Sequence, residues 1–221
     1  MLQFITDGSA EEIPAQVGGA LQGGVRWVQL RMKGATAAEV AAMARRLIGP
    51  CRVAGATFII NDHPEVAKAV GADGVHLGKN DMSPAEARKL LGSRAIIGAT
   101  ANSMADVELL MNEPVDYLGI GPFRFTGTKK NLAPLLGLEG YREIIAMMKQ
   151  LRGSVFPHVA IGGITVDDIA PLAEAGVTGF AVSGAIAHAI SPATAARELL
   201  DAIKKQNINS IKHFNAPARK V

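Results

Sequence analysis

The sequence predicts an α/β fold, a single (β/α)8 TIM barrel occupying residues 1–205. Three observations lead there. Short β-rich runs alternate eight times with Ala-rich amphipathic segments. No second composition regime breaks the alternation, which argues one parallel sheet with helical crossovers. The turn after the first run, Thr6-Asp7-Gly8-Ser9, is not the Gly-x-Gly-x-x-Gly that opens many doubly wound sheets. Eight units in 221 residues make a compact barrel, somewhat under the usual ~250 residues.

The strand runs are 2–6, 25–31, 57–61, 74–77, 95–98, 116–120, 158–162 and 178–183. Each is rich in β-branched or aromatic residues and short enough for a buried parallel strand. The helix segments are 10–22, 36–49, 63–70, 83–91, 103–111, 139–151, 165–175 and 193–205. Several have chemical start and stop signals. Ser83-Pro84 sets a capping hydroxyl before a proline at the first helical position. Thr165-Val166-Asp167-Asp168 is a cap followed by acids in the first turn. Gly71, Gly92 and Gly176 read as helix stops. Residues 206–221 change character: they are polar and basic without a period, a frayed end or an oligomer-contacting arm.

Composition narrows the function. Hydrophobic residues make up 48% of the chain, enough for a large core, and no apolar run approaches the ~20 residues of a membrane span. The net charge of +3 and an aromatic content of 5% suit small anionic substrates better than nucleic acid. A single cysteine, Cys51, cannot make an internal disulfide, and the start lacks a basic leader, so a cytoplasmic setting is expected. Cys51 ends an apolar helix pattern and reads as a structural thiol.

In a βα barrel the chemistry lies at the C-terminal ends of the strands, and here polar clusters collect after almost every run. After the second come Gln29, Arg31 and Lys33, spaced by two, which share one face while the chain stays extended. After the third comes Asn61-Asp62-His63, and after the fourth His76-Leu77-Gly78-Lys79-Asn80-Asp81. Taken singly, Asp62 reads as a helix cap and Asp81 as the start of a turn. Taken together, on adjacent strand ends, two carboxylates call for a cation, and oxygen ligands beside phosphate suit Mg2+. Zinc spacing of His and Cys is absent. His63 and His188 read as surface or helix-end residues, and His76 as a strand-end residue facing the site.

After the fifth run comes Gly98-Ala99-Thr100, a weak signal on its own. The sixth opens a long loop, Gly121 to about Pro134, with Thr126, Thr128, Lys129 and Lys130. Hydroxyls and ammonium groups there suit phosphate or diphosphate, and the loop is expected to be mobile when empty and ordered with diphosphate bound. The seventh and eighth runs lead into Gly162-Gly163 and Ser183-Gly184, each opening a helix, the usual phosphate site of such barrels. Two anion regions result, one in the last two loops and one built from Arg31, Lys33, Lys129 and the metal. Two phosphorylated groups in one site favour a transferase or condensing enzyme.

Gln29-x-Arg31-x-Lys33, Ile60-Asn61-Asp62, Asp73-Gly74-Val75-His76-Leu77-Gly78 with Asp81, Gly98-x-Thr100, Gly119-x-Gly121-Pro122 with Thr126-x-Thr128-Lys129, Ala160-Ile161-Gly162-Gly163-Ile164 and Val182-Ser183-Gly184-Ala185-Ile186 occur in one order. In that order they resemble the thiamine phosphate synthase family over roughly residues 2–205. The resemblance implies condensation of 4-amino-2-methyl-5-hydroxymethylpyrimidine diphosphate with 4-methyl-5-(2-phosphooxyethyl)thiazole, giving thiamine phosphate and pyrophosphate. Diphosphate would leave first, and the thiazole nitrogen would attack the resulting pyrimidine cation. By matched position, Asp62 and Asp81 would hold Mg2+. Arg31, Lys33, Asn61, Thr100 and Lys129 would bind diphosphate, with Arg31, Lys33 and Lys129 assisting its departure. Gln29 and His76 would line the pyrimidine pocket. Thr126, Thr128, Gly163, Val182 and Ser183 would hold the thiazole phosphate. Lys79, Ala101 and Phe123-Arg124-Phe125 depart from the family's commoner residues. The alternatives are a thiazole tautomerase, which typically lacks counterparts of Gln29 and Asp81, and a non-catalytic thiazole-phosphate-binding barrel.

Overall fold

The computed structural model describes residues 1–125 and 135–206. Eight parallel strands close into a barrel in sequence order, with the last strand paired to the first. The strands are β1 Leu2–Ile5, β2 Trp27–Leu30, β3 Thr57–Asn61, β4 Gly74–Leu77, β5 Ile96–Ala101, β6 Tyr117–Ile120, β7 His158–Ala160 and β8 Phe180–Val182. Helices follow each: α1 Ile13–Gln22, α2 Ala37–Val53, α3 Pro64–Val70, α4 Pro84–Leu91, α5 Met104–Leu110, α6 Gly137–Arg152, α7 Ile169–Glu174, α8 Gly184–Ala187 and α9 Pro192–Lys205.

The alternation within each strand sorts side chains into two cores. On β2, Val28 and Leu30 pack outward under the helices, while Trp27 joins Ile59, Ile96, Tyr117, Val159 and Ala181 inside the barrel. The outer core is the larger, with Phe4, Phe58, Leu118 and Phe180 almost fully buried. Each such side chain contributes about 1.5–3 kcal/mol by leaving water.

The helix starts expected from sequence are present and are completed by acids. Ser83 Oγ accepts from the Glu86 N–H, and Glu86 accepts from the Ser83 N–H, a reciprocal cap. Thr36 and Glu39 form the same box at the start of α2. Thr165 and Asp168 form another, but its first turn is a 3-10 turn, Val166–Asp168, that leads into α7. Gly71 ends α3 at φ 66°, the left-handed conformation that favours glycine.

Two expectations need correction. Helix α2 was expected to stop before Pro50, yet it runs to Val53 with Pro50 inside. Proline there removes one donor in the last turns only, and burial of Cys51 against the outer core holds the extension in place. Strand β2 ends at Leu30, so Arg31 and Lys33 lie beyond it and the shared face does not extend to Lys33. After β8, Ser183-Gly184 opens a helix as expected, the one-turn α8, and α9 follows at Pro192. The loop residues Thr126, Thr128 and Lys129, and the tail beyond Gln206, lie outside the described residues. No helix among the described residues is long and apolar enough to cross a membrane.

Candidate active site

The strand register brings the predicted residues of β2 to β5 to one end of the barrel. Ile5 pairs with Gln29, Asn61 with His76, His76 with Gly98, and Thr100 with Gly119. Gln29, His76 and Thr100 are all buried inside. These three side chains, with Gln3 of β1 and Tyr117 of β6, are close enough for continuous hydrogen bonding. Gln29 Nε2 donates to Gln3 Oε1 at 3.2 Å, and Gln3 Nε2 donates to the Tyr117 hydroxyl at 3.3 Å. His76 Nδ1 lies 2.9 Å from that hydroxyl, and His76 Nε2 lies 3.0 Å from Thr100 Oγ1. These contacts give the buried carboxamides, phenol, imidazole and hydroxyl protein partners, which burial demands.

Glycines make room for this cluster. A Cβ on Gly98 would lie 2.2 Å from Tyr117 Cζ, and one on Gly119 would lie 2.9 Å from His76 Cε1. A strand glycine without a side chain marks the close approach of another group. Gly98 and Gly119 therefore reflect ring packing inside the barrel, whereas Gly121 makes room for Ile161 after β7. Gln3 and Tyr117 themselves were not singled out from sequence. The available signal was Tyr117 standing two residues before Gly119 on the same strand face.

Arg31 begins where β2 stops, and Thr6 fixes it there. The Thr6 hydroxyl donates to Arg31 O and accepts from Arg31 N–H, each at 2.8 Å. Thr6 is itself fully buried. Arg31 is half-buried and Lys33 exposed, with Lys33 in a turn that Gly34 completes at φ 75°.

The two carboxylates meet around Gly78. A Cβ on Gly78 would lie 2.9 Å from Asp81 Oδ2 and 4.0 Å from Asp62 Oδ1. Asp62 does not cap the next helix, because the N-cap of α3 is His63. Asp62 instead holds φ 64°, the one non-glycine residue in the left-handed region among those described. Such a conformation costs on the order of 1 kcal/mol or more, and it clusters at functional positions. Asp81 Oδ2 accepts from the Gly78 N–H at 2.6 Å, so Asp81 also closes the turn that runs from Gly78. No group of three or more His, Cys, Asp or Glu side chains able to hold a metal occurs among the described residues. A pair of carboxylates is the kind of oxygen donor set that Mg2+ uses together with substrate oxygens and water.

At the far side, Gly162 and Gly163 hold φ 96° and 70° at the end of β7. Ser183 follows β8, and its Oγ is buried without a hydrogen-bond partner among the described residues. The Val182 side chain packs into the outer core, so only its backbone can face this region. Loop residue Arg124 pairs with Asp168 and donates its N–H to Gly162 O at 3.1 Å, which ties the start of the β6 loop to the β7 loop. Lys79 pairs with Asp106 at 2.5 Å. His188 lies 3.1 Å from Asp7 Oδ2 and is exposed, as expected of a helix-end residue. Burial pushes the Cys51 thiol up to about 12, so it is an inert structural thiol.

Comparison with known proteins bears on this arrangement directly. The family model described as thiamine monophosphate synthase matches residues 2–186. Thiamine-phosphate synthase of Phocaeicola vulgatus is 53% identical over 82% of this chain and 87% of its own. Thiamine-phosphate synthase of Bacteroides fragilis is 52% identical over 82% of this chain and 89% of its own. Among solved structures, thiamine phosphate pyrophosphorylase from Pyrococcus furiosus superposes with a TM-score of 0.80 at 33% identity. That match covers 93% of this chain and 96% of the other. The closed barrel, the strand-end polar residues and these matches agree, and the chain belongs to the thiamine monophosphate synthase family.

Proposed function

We propose that this chain joins 4-amino-2-methyl-5-hydroxymethylpyrimidine diphosphate to 4-methyl-5-(2-phosphooxyethyl)thiazole, releasing pyrophosphate and giving thiamine phosphate. It is a transferase of thiamine biosynthesis. The observation that carries the reading, beside family membership, is the run of polar strand ends on β2 to β5, converging over a buried polar floor. Neither alternative is favoured: Gln29 and Asp81, typically missing from the tautomerases, are both present.

The roles follow from the chemistry at each position. Gln29 and His76 offer a carboxamide and an imidazole to the edge of an aminopyrimidine. Arg31, Lys33 and Lys129 supply positive charge to a diphosphate, and Asn61 and Thr100 supply neutral donors. Little proton transfer is needed, so rate comes from orientation and from stabilising charge on the departing diphosphate. Thr126, Thr128, the Gly163 backbone, the Val182 backbone and Ser183 hold the phosphate of the thiazole. The buried, unpartnered Ser183 Oγ supports that assignment, because a ligand oxygen would satisfy it. Asp62 and Asp81 would hold Mg2+. When bound, the ion neutralises diphosphate charge. The test is pyrophosphate release with both substrates and Mg2+ supplied. Release only when both are present is expected, and no release under any metal condition would overturn the reading.

A further inference from the structure

Gln3 and Tyr117 lie inside the barrel, both almost fully buried. They join Gln29 on one side to His76 and Thr100 on the other. The chain of contacts has a direction. Gln3 reaches Tyr117 through Nε2, which can only donate, so the phenol oxygen accepts at that contact. A phenol is a better donor than acceptor, since its oxygen lone pair is delocalised into the ring, while an unprotonated imidazole nitrogen accepts well. Across the 2.9 Å contact the phenol proton therefore goes to His76 Nδ1. A neutral imidazole that accepts at Nδ1 carries its proton on Nε2. Nε2–H then donates to Thr100 Oγ1 across 3.0 Å. With that lone pair occupied, the hydroxyl proton of Thr100 must point away from His76.

Thr100 is the next-to-last residue of β5, at the end of the barrel where the chemistry is placed. We propose that Gln3 and Tyr117 are positioning residues: they hold His76 as its Nε2–H tautomer and thereby aim the Thr100 hydroxyl proton at an anionic oxygen of the substrate. The kinetic consequence rests on the reading of Thr100 as a diphosphate contact. The tautomer does not.

Two measurements test this. The first is ¹⁵N-histidine NMR of the free enzyme at neutral pH, with His76→Gln used to assign the signals. The expected result is an unprotonated Nδ1 and a protonated Nε2 for His76, with mixed tautomers in Tyr117→Phe. Gln3→Met, which cuts the chain one link earlier and keeps its volume, should show the same mixing if Tyr117→Phe does not fold. A protonated Nδ1 in the wild type, or an unchanged tautomer in the variants, would overturn the proposal. The second is kinetic. Tyr117→Phe should lower kcat/KM for the pyrimidine diphosphate about tenfold, the scale of a weakened bond to a charged group. Affinity for the thiazole phosphate should stay within about twofold. Added to Thr100→Val, the same change should cost nothing further, because both act through one hydroxyl. Additive losses would mean that Tyr117 merely packs. If the wild type released no pyrophosphate, the proposed reaction would fail, and the NMR result would still decide the tautomer.

Discussion

Gly98→Ala is the sharpest probe of the barrel floor. An added Cβ would lie 2.2 Å from Tyr117 Cζ, 2.3 Å from Cε1 and 2.5 Å from the hydroxyl oxygen. The ring has little room to yield. Trp27 packs against it edge-on with centroids 4.8 Å apart, and Gln3 and His76 hold its hydroxyl. Overpacking a tight core costs about 1–3 kcal/mol. Three overlaps with one restrained ring place this substitution near the top of that range, at about 3 kcal/mol. For a chain of this length, that corresponds to a fall in Tm of roughly 6–12 °C. Urea titration and scanning calorimetry read it. Adding Tyr117→Phe should bring little relief, because the overlaps with Cζ and Cε1 remain, whereas in a Tyr117→Leu background the same Gly98→Ala change should cost much less. A Gly98→Ala protein within about 0.5 kcal/mol of wild type, the scale of an ordinary surface change, would refute the reasoning.

Three further outcomes are expected. Asp81→Asn keeps an acceptor for the Gly78 N–H but removes a charge beside Asp62, so turnover should fall sharply across a Mg2+ titration while thiazole-phosphate binding survives. A wild-type rate would remove Mg2+ from that position. Gly163→Val, at φ 70°, should weaken thiazole-phosphate binding more than diphosphate binding; calorimetry showing equal losses would argue against two anion regions. His158 is held below the ordinary histidine pKa by burial, with the backbone bond to Phe156 O opposing, so the unfolded chain takes up a proton before the folded one. Its share of stability is present above about pH 6.5 and is lost as pH falls below it, with a slope of up to about 1.4 kcal/mol per pH unit. His158→Gln should flatten that part of the denaturation profile, and an unchanged slope would show that other groups set it.

The sequence displayed what is local. Ser83 and Glu86, three residues apart, announce a helix start that the structure reproduces, and Gly71 announces a stop. Strand ends rich in polar residues were legible because barrel topology sends them all to one face. What stayed hidden depends on partners far along the chain. Gln3 and Tyr117 are 114 residues apart and meet only once the barrel closes. Pro50 looked like a terminator because local propensity opposes it, and core burial of Cys51 outweighed that propensity. Lys33 looked aligned with Gln29 because spacing by two presumes extended chain, and β2 ends sooner.

The pairing of β1 with β8 has a bearing on how the chain reaches this state. Leu2, Gln3 and Phe4 find their partners at Phe180, Ala181 and Val182, so one edge of β1 stays unmatched until nearly the whole barrel has been synthesised. Until then an apolar strand with open amide and carbonyl groups is exposed to other chains. Ring closure is therefore a late, long-range event, of the kind that slows folding because loop entropy must be overcome before the contacts form. A chain halted before Phe180 would carry two raw edges instead of none, β1 and β7, and should associate with its own copies in the test tube unless a chaperone shields them.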